Sequence, residues 1–166
     1  MTGIDPALCR ETLARLLSDE AALLARMETQ LQQEHQMLVD NDVDGLDAAG
    51  KQRQDCVGKL LRLEDERRSL CRATERSTAL AGIENLILWC DPQRSLLAAL
   101  QDCADRATRC REQNDRNGLL VGARLKRVAG MLGMLNANGR DAQVYGSSGT
   151  SVAGAPKVGR MVAARA

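Results

Sequence analysis

The residues most suggestive of chemistry lie in the stretch DNDVDG, which separates two segments with helical periodicity. Its acidic residues and its glycine fall at the first, third, fifth and sixth positions of an EF-hand calcium loop: Asp40, Asp42, Asp44 and Gly45. The twelfth position of such a loop supplies a bidentate carboxylate, but here it is Lys51, which removes two ligand oxygens and repels the ion. We therefore expect a turn between two helices, capped by aspartate and eased by Gly45, rather than a calcium site.

The histidine and the cysteines also offer little chemistry. His35 is the single histidine, so we expect neither a histidine-based metal site nor the Glu-x-x-His pairs of a di-iron bundle. No two cysteines form a Cys-x-x-Cys pair, and we expect reduced, packed thiols at all six positions: Cys9, Cys56, Cys71, Cys90, Cys103 and Cys110. No glycine-rich phosphate loop follows a strand, because the sequence contains no convincing strand. We therefore predict no enzyme, no catalytic residue, no cofactor and no metal.

The composition favours helices packed against helices. Hydrophobic residues make up 44% of the 166 residues, but the chain contains no Phe, one Trp and one Tyr, whereas β-strands favour aromatic residues. The net charge of +1 argues against a dedicated nucleic-acid binder, which needs surplus positive charge. The start of the chain lacks the pattern of a secretory signal, and no apolar stretch has the length of a membrane span. We therefore expect a cytoplasmic protein without membrane insertion.

Two apolar patterns of the coiled-coil type predict two long helices over residues 6–40 and 45–76. After the Asp5-Pro6 helix start, seam positions alternate in steps of four and three: Leu13, Leu17, Glu20, Leu24, Met27, Leu31, Glu34 and Leu38. The alternation resumes after DNDVDG: Leu46, Ala49, Arg53, Cys56, Leu60, Leu63, Arg67, Leu70 and Thr74. Each seam therefore contains two charged residues among apolar ones.

The charged seam residues predict how the two helices pair. If the chain folds back between them so that paired residue numbers sum to 87, Glu34 meets Arg53 and Glu20 meets Arg67. Because burial offsets most of the attraction in such pairs, their expected role is to fix the register of an antiparallel hairpin rather than to add stability. The alternative is a chance match in a chain rich in Glu and Arg.

The remaining chain predicts a short helix, a third long helix and a tail. Residues 78–90 are short and apolar, and the Asp91-Pro92 pair repeats the signature of a helix start. We expect the third helix to span residues 92–136 and the Gly- and Ser-rich residues 137–166 to form a flexible tail. The predicted fold is thus an all-α, antiparallel bundle of about three long helices in a domain of residues 1–136.

The stretch NDRNGLLV, residues 114–121, is ambiguous. Its asparagines and its Asn-Gly pair are typical of a turn, but the seam of the third helix passes through Asn114, Asn117 and Val121 without losing its alternation. We therefore predict a continuous helix. From Gly118 onward this helix is apolar on several faces and contains four glycines, which weaken helices. This pattern favours a surface that binds a partner. The alternative is that the first two helices cover it.

The chain resembles the FlgN-type flagellar export chaperones. That family commonly shows an Asn-x-x-Asn-Gly segment and, shortly after, a Tyr-Gly-x-x-Gly segment, which here are NDRNGLLV and VYGSSG. The stretch DGLDAAGKQRQDCVGKLLRLEDERRSL is similar to the family's second helix, and the resemblance covers most of residues 8–149. It implies a cytoplasmic, non-enzymatic chaperone that binds hook–filament junction proteins and hands them to the flagellar type III export apparatus.

The apolar helix surface and the resemblance together predict the site residues. The predicted client-binding residues occupy the third helix: Asn114, Asn117, Gly118, Leu120, Val121, Leu125, Val128, Met131, Leu132 and Leu135. Tyr145, with Gly146 and Gly149, is a candidate anchor for the export gate, the alternative being an incidental tail residue. The rival function is a coiled-coil adaptor, structural or signalling, that forms a homo-oligomer through the same helix. A small helical enzyme or cofactor carrier is less consistent with the residues present.

Overall fold

The computed structural model describes residues 4–76 and 78–142, and these residues form helices and turns without a strand. The helices are α1 (Pro6–Asp40), α2 (Val43–Ala73), α3 (Leu80–Cys90) and α4 (Ser95–Ala142). The predicted all-α fold class is therefore confirmed. By its contacts the chain divides into two units, residues 1–123 and 124–166, and the second unit contains the last part of α4. Among the described residues, none of the helices combines the length and the hydrophobicity of a membrane span.

The turn between α1 and α2 is shorter than the sequence predicts. Asn41 ends α1 in the left-handed conformation, with φ of 62°, and the adjacent Asp42 already caps α2, so α2 begins at Val43 rather than at residue 45. The Asp42 carboxylate accepts a hydrogen bond of 2.9 Å from the backbone N–H of Gly45. A Cβ at Gly45 would lie 2.1 Å from Asp42 Oδ2. Gly45 therefore makes room for the capping carboxylate instead of easing the bend.

The start of α4 also differs from the prediction, because the helix begins at Ser95 and not at Pro92. The Asp91 side chain is buried, and its Oδ2 accepts hydrogen bonds of 2.8 Å from both Leu96 N and Ser95 Oγ. Asp91 thus caps a helix that starts four residues later, with Pro92 in the intervening turn. The Leu96 N–H, together with Ser95 and Arg10, holds the pKa of Asp91 below its usual value. At its other end α4 continues to Ala142, six residues beyond the predicted end.

The core of the unit formed by residues 1–123 is built mainly from leucines and cysteines. Leu13, Leu16, Leu17 and Leu31 of α1 are buried, as are Leu86 and Ile87 of α3. All six cysteines are buried free thiols, in agreement with the sequence. Because most core side chains are Leu or Cys rather than rings, the helices can pack closely along their seams.

Candidate functional site

The NDRNGLLV segment lies inside α4, with no turn at Asn117-Gly118. The continuous helix predicted from the heptad phase is therefore confirmed, and the prediction from local turn propensity is wrong. Tertiary packing explains the result, because the two asparagines make contacts with other helices that a turn would not allow.

The Asn117 side chain connects α4 to α1 through hydrogen bonds. Its side chain is 5% exposed, and its Nδ2 donates a hydrogen bond of 2.9 Å to the backbone carbonyl of Leu31. Its Oδ1 lies 3.0 Å from His35 Nδ1 and accepts a hydrogen bond of 3.2 Å from Gln113 Nε2. The single histidine is therefore a hydrogen-bonding partner of Asn117. A buried amide whose nitrogen and oxygen both have partners in this way favours one alignment of the two helices.

The Asn117 contact is one of three equivalent contacts along α1 and α4. The Sγ atoms of Cys103 and Cys110 lie 3.4 Å and 3.7 Å from the carbonyl oxygens of Leu17 and Leu24, respectively. Each donor is 86 positions beyond its acceptor, as Asn117 is beyond Leu31. The contacts recur every seven residues on both helices, so α1 and α4 run in the same direction in one heptad register. The small side chains at these positions allow the two helices to approach closely.

The seam ion pairs that the sequence predicts are both present. Arg67 Nη1 lies 2.8 Å from Glu20 Oε2, and Arg53 Nε lies 3.1 Å from Glu34 Oε1. As residue numbers rise from 20 to 34 along α1, those of the partners on α2 fall from 67 to 53. Burial raises the pKa of Glu20, in opposition to the attraction of Arg67. That these pairs fix the register of the hairpin stays a prediction.

Asn114 has a partner that sequence reasoning missed. Its side chain is exposed, but its Oδ1 accepts a hydrogen bond of 3.0 Å from Arg53 Nη1. The Nε atom of the same arginine faces Glu34. The guanidinium of Arg53 therefore joins α1, α2 and α4 at one level. The signal was available, because Arg53 and Asn114 are polar residues on the seams of their own helices.

Large apolar side chains are exposed on the part of α4 that follows Asn117. Eight of them are at least 42% exposed: Leu119, Val121, Leu125, Val128, Met131, Leu132, Met134 and Leu135. Five fall in steps of four and three, so they form one stripe: Val121, Leu125, Val128, Leu132 and Leu135. Of the predicted client-binding residues, Leu120 is half-buried and Asn117 is buried, while the others on this stripe are accessible.

Most of the chain matches a known protein family. The family model described as "FlgN protein" matches residues 9–153. The chain belongs to the FlgN family. FlgN proteins are flagellar export chaperones, and the matched residues include the helical bundle and the whole exposed apolar stripe. Searches of curated proteins and of solved structures found no match.

Two other sets of predicted residues in this FlgN chain are the proposed gate anchor and the cysteines. The proposed gate anchor, Tyr145 with Gly146 and Gly149, lies outside the described residues. The buried thiols are poor nucleophiles, because burial raises their pKa values: that of Cys103 is about 11, and that of Cys9, which also faces Cys90, is about 12. In the part of the chain that the structure describes, no group of three His, Cys, Asp or Glu side chains is placed to hold a metal ion.

Proposed function

We propose that this FlgN-family chain is a cytoplasmic chaperone that binds hook–filament junction proteins and delivers them to the flagellar type III export apparatus. The client would bind to the exposed apolar stripe of α4, Val121 to Leu135. The exposure of this stripe is the observation that supports the proposal, because a contiguous apolar surface of this kind marks a partner-binding site.

The spacing of the stripe favours a helical partner. Steps of four and three place its side chains along one seam, where the knobs of a second helix can pack between them. Met131 and Met134 border the stripe and are unbranched, so they can adapt to different client side chains. A client segment that folds into an amphipathic helix on binding would bury the apolar side chains of this stripe.

The charges of the same segment favour an acidic client. Residues 118–137 contain Arg124, Lys126 and Arg127 and no acidic residue, although the whole chain has a net charge of only +1. Acidic residues beside the apolar face of a client helix would complement these cations and raise the association rate. We therefore expect client binding to weaken as ionic strength rises.

In this proposal the predicted site residues have different roles. Asn117 uses its amide within the chain, so in this proposal it positions α4 while the exposed stripe contacts the client. Delivery would then use a separate contact, and Tyr145 is the residue that we propose for docking at the export gate.

The proposal is tested by measuring calorimetrically how the full chain binds C-terminal peptides of the junction proteins. The double variant Leu132→Ala/Leu135→Ala should weaken binding at least tenfold, because both leucines would be buried by the client. The matched control is Leu61→Ala, which removes an equally large side chain, 60% exposed, from α2 and should leave the affinity unchanged.

Two results would overturn the proposal. One is the absence of binding between the unmodified chain and any junction-protein peptide. The other is a tight homodimer that the double variant dissociates, since this would assign the stripe to self-association and favour the adaptor function.

A further inference from the structure

A groove of about 460 Å³, here called the α1–α2 groove, lies between the first two helices. Its apolar lining consists of Ala22 and Leu23 from α1 and Leu63 from α2. Ala22 is exposed, and the two leucines are half-buried. A partner can therefore reach this lining, and the small side chain of Ala22 leaves room for its close approach.

One half of the α1–α2 groove is basic. Lys59 and Arg62 line it, and Arg26 lies one turn beyond its apolar lining on α1; all three are exposed. Lys59 Nζ donates a hydrogen bond of 2.7 Å to Asp55 Oδ2. This hydrogen bond, with the charges of Arg26 and Arg62, holds the pKa of Asp55 below its usual value. Within the described residues, neither Arg26 nor Arg62 forms a salt bridge or a side-chain hydrogen bond, so two accessible cations are available to a partner.

The other half of the groove has a different charge. The two Nη atoms of Arg15 lie 3.3 Å from Asp19 Oδ2 and 2.9 Å from Glu66 Oε2, so one cation here faces two carboxylates. The groove is therefore positive at the end near Arg26 and slightly negative at the end near Arg15.

The charges and the apolar lining together restrict the partner. Nucleic acid would be opposed by the carboxylates along the groove and would leave the apolar lining uncovered. An amphipathic helix could cover the lining with its apolar face, and acidic residues beside that face would complement Arg26 and Arg62. From Arg15 to Arg26 the groove extends about 17 Å along α1, which is the length of about three turns of a partner helix.

We propose that the α1–α2 groove binds an acidic amphipathic helix of a partner protein, with the apolar face of that helix on the groove's lining and its carboxylates beside Arg26 and Arg62. The inference goes beyond the proposed function, because the groove shares no residue with the exposed apolar stripe and assigns the chain a second partner besides the client. Most of the affinity would come from the apolar contact, while the charges decide which helix is accepted.

The probe for this groove is a stapled helical peptide of about four turns, with leucines along one face and glutamates on both borders of that face. Its binding to the full chain is followed by fluorescence anisotropy. The chain carries Leu132→Ala/Leu135→Ala throughout, which weakens binding of the probe to the exposed apolar stripe. The result therefore does not depend on the proposed function.

The first test reverses the charge of the groove. Arg26→Glu/Arg62→Glu should weaken binding of the acidic peptide at least tenfold, because two attractions become repulsions. The same variant should bind a peptide with lysines in place of the glutamates at least tenfold more tightly than the parent chain does, which also shows that the variant is folded. The control Lys51→Glu/Arg111→Glu makes the same change in net charge at exposed positions outside the groove and should leave both affinities within about twofold.

The second test fills the groove. Ala22→Trp places a large side chain on the apolar lining and should weaken binding of the acidic peptide at least tenfold. The matched control is Ala48→Trp, at an exposed position of α2 outside the groove, which should leave the affinity unchanged. Unchanged binding by Ala22→Trp would place the peptide elsewhere on the chain and overturn the inference.

Three further results would overturn the inference. One is that the acidic peptide does not bind the parent chain. Another is an equal loss of binding in Arg26→Glu/Arg62→Glu and in the control, since net charge and not the groove would then be responsible. The third is a single-stranded DNA oligonucleotide that binds as tightly as the peptide and is lost in the same variant, because the groove would then accept any polyanion. Failure of the unmodified chain to bind junction-protein peptides would instead overturn the proposed function and leave this inference standing.

Discussion

The early and late parts of α4 share a periodic pattern but differ in burial. From Leu96 to Asn117 the seam includes buried residues at Leu96, Leu100, Cys103 and Cys110, whereas no side chain in residues 124–137 is buried. Yet steps of four and three recur in both parts, with a one-residue offset at Leu125, which follows Val121 by four positions instead of three. Periodicity therefore determines which face of a helix is apolar, while other elements determine whether that face is covered. The uncovered apolar face of the late part is the surface that we propose for client binding.

The largest expected difference is in stability, when the same substitution is made in both parts. Leu100→Ala should lower the free energy of unfolding by about 2–3 kcal/mol, because it leaves a cavity beside α1 and α3 at a position that is 9% exposed. Leu132→Ala, at a position that is 55% exposed, should change it by no more than about 0.5 kcal/mol. Urea unfolding followed by circular dichroism measures both. Similar losses for the two variants would show that the late part is buried in solution.

Much of the fold could be predicted because local rules and long-range pairing agreed. The heptad phase gave the correct helix through Asn114 and Asn117, and the charged seam positions gave the correct pairs, Glu20 with Arg67 and Glu34 with Arg53. The predicted helix boundaries were wrong where one local sequence pattern is compatible with two structures. Asp91 followed by Pro92 can cap a helix at once or, as here, after a turn.

The candidate site was harder to predict, because its geometry depends on three helices. Sequence spacing placed Asn114 and Asn117 on one stripe, but it could not show that Asn117 bonds to a backbone carbonyl of α1 while Asn114 meets Arg53. Two residues of one motif therefore have different environments.

The thiolate fraction, and with it the rate of alkylation, should differ between the two parts of α4 by roughly 250-fold. Burial, with the nearby charges of Glu20 and Asp102, raises the pKa of Cys103 to about 11, so at pH 8 about 0.1% of this thiol is ionised. A cysteine introduced as Leu132→Cys should keep an ordinary pKa of about 8.5 and be roughly one-quarter ionised. Alkylation by iodoacetamide at pH 8, quantified by mass spectrometry, compares the two rates in one molecule. Equal rates would mean that Cys103 is exposed through frequent opening.

The two asparagines should differ in how much they contribute to the free energy of unfolding, by less than the two leucines do. Asn117→Ala removes the amide that bonds to Leu31 and leaves His35 and Gln113 without that partner, so we expect a loss of about 2 kcal/mol in the free energy of unfolding. Asn114→Ala removes one acceptor from an exposed site and should cost less than about 1 kcal/mol. Chemical unfolding of the two variants in parallel measures the difference. If Asn114→Ala loses more unfolding free energy than Asn117→Ala, the contact of α4 with α2 contributes more to stability than its contact with α1.

The smallest expected effect concerns the glycines of the exposed part. Gly130 is exposed and a Cβ there meets no atom within 4 Å, so Gly130→Ala should stabilise the local helix by about 0.5–1 kcal/mol through backbone entropy alone. Amide hydrogen exchange in residues 124–137 should then slow about threefold, while Ala129→Gly, the reverse change at the adjacent exposed position, should accelerate it. The global free energy of unfolding should change in neither variant if the exposed part opens independently of the core. A global gain equal to the local one would instead make α4 a single cooperative unit, and the difference between its two parts would then lie in their surfaces and not in their stability.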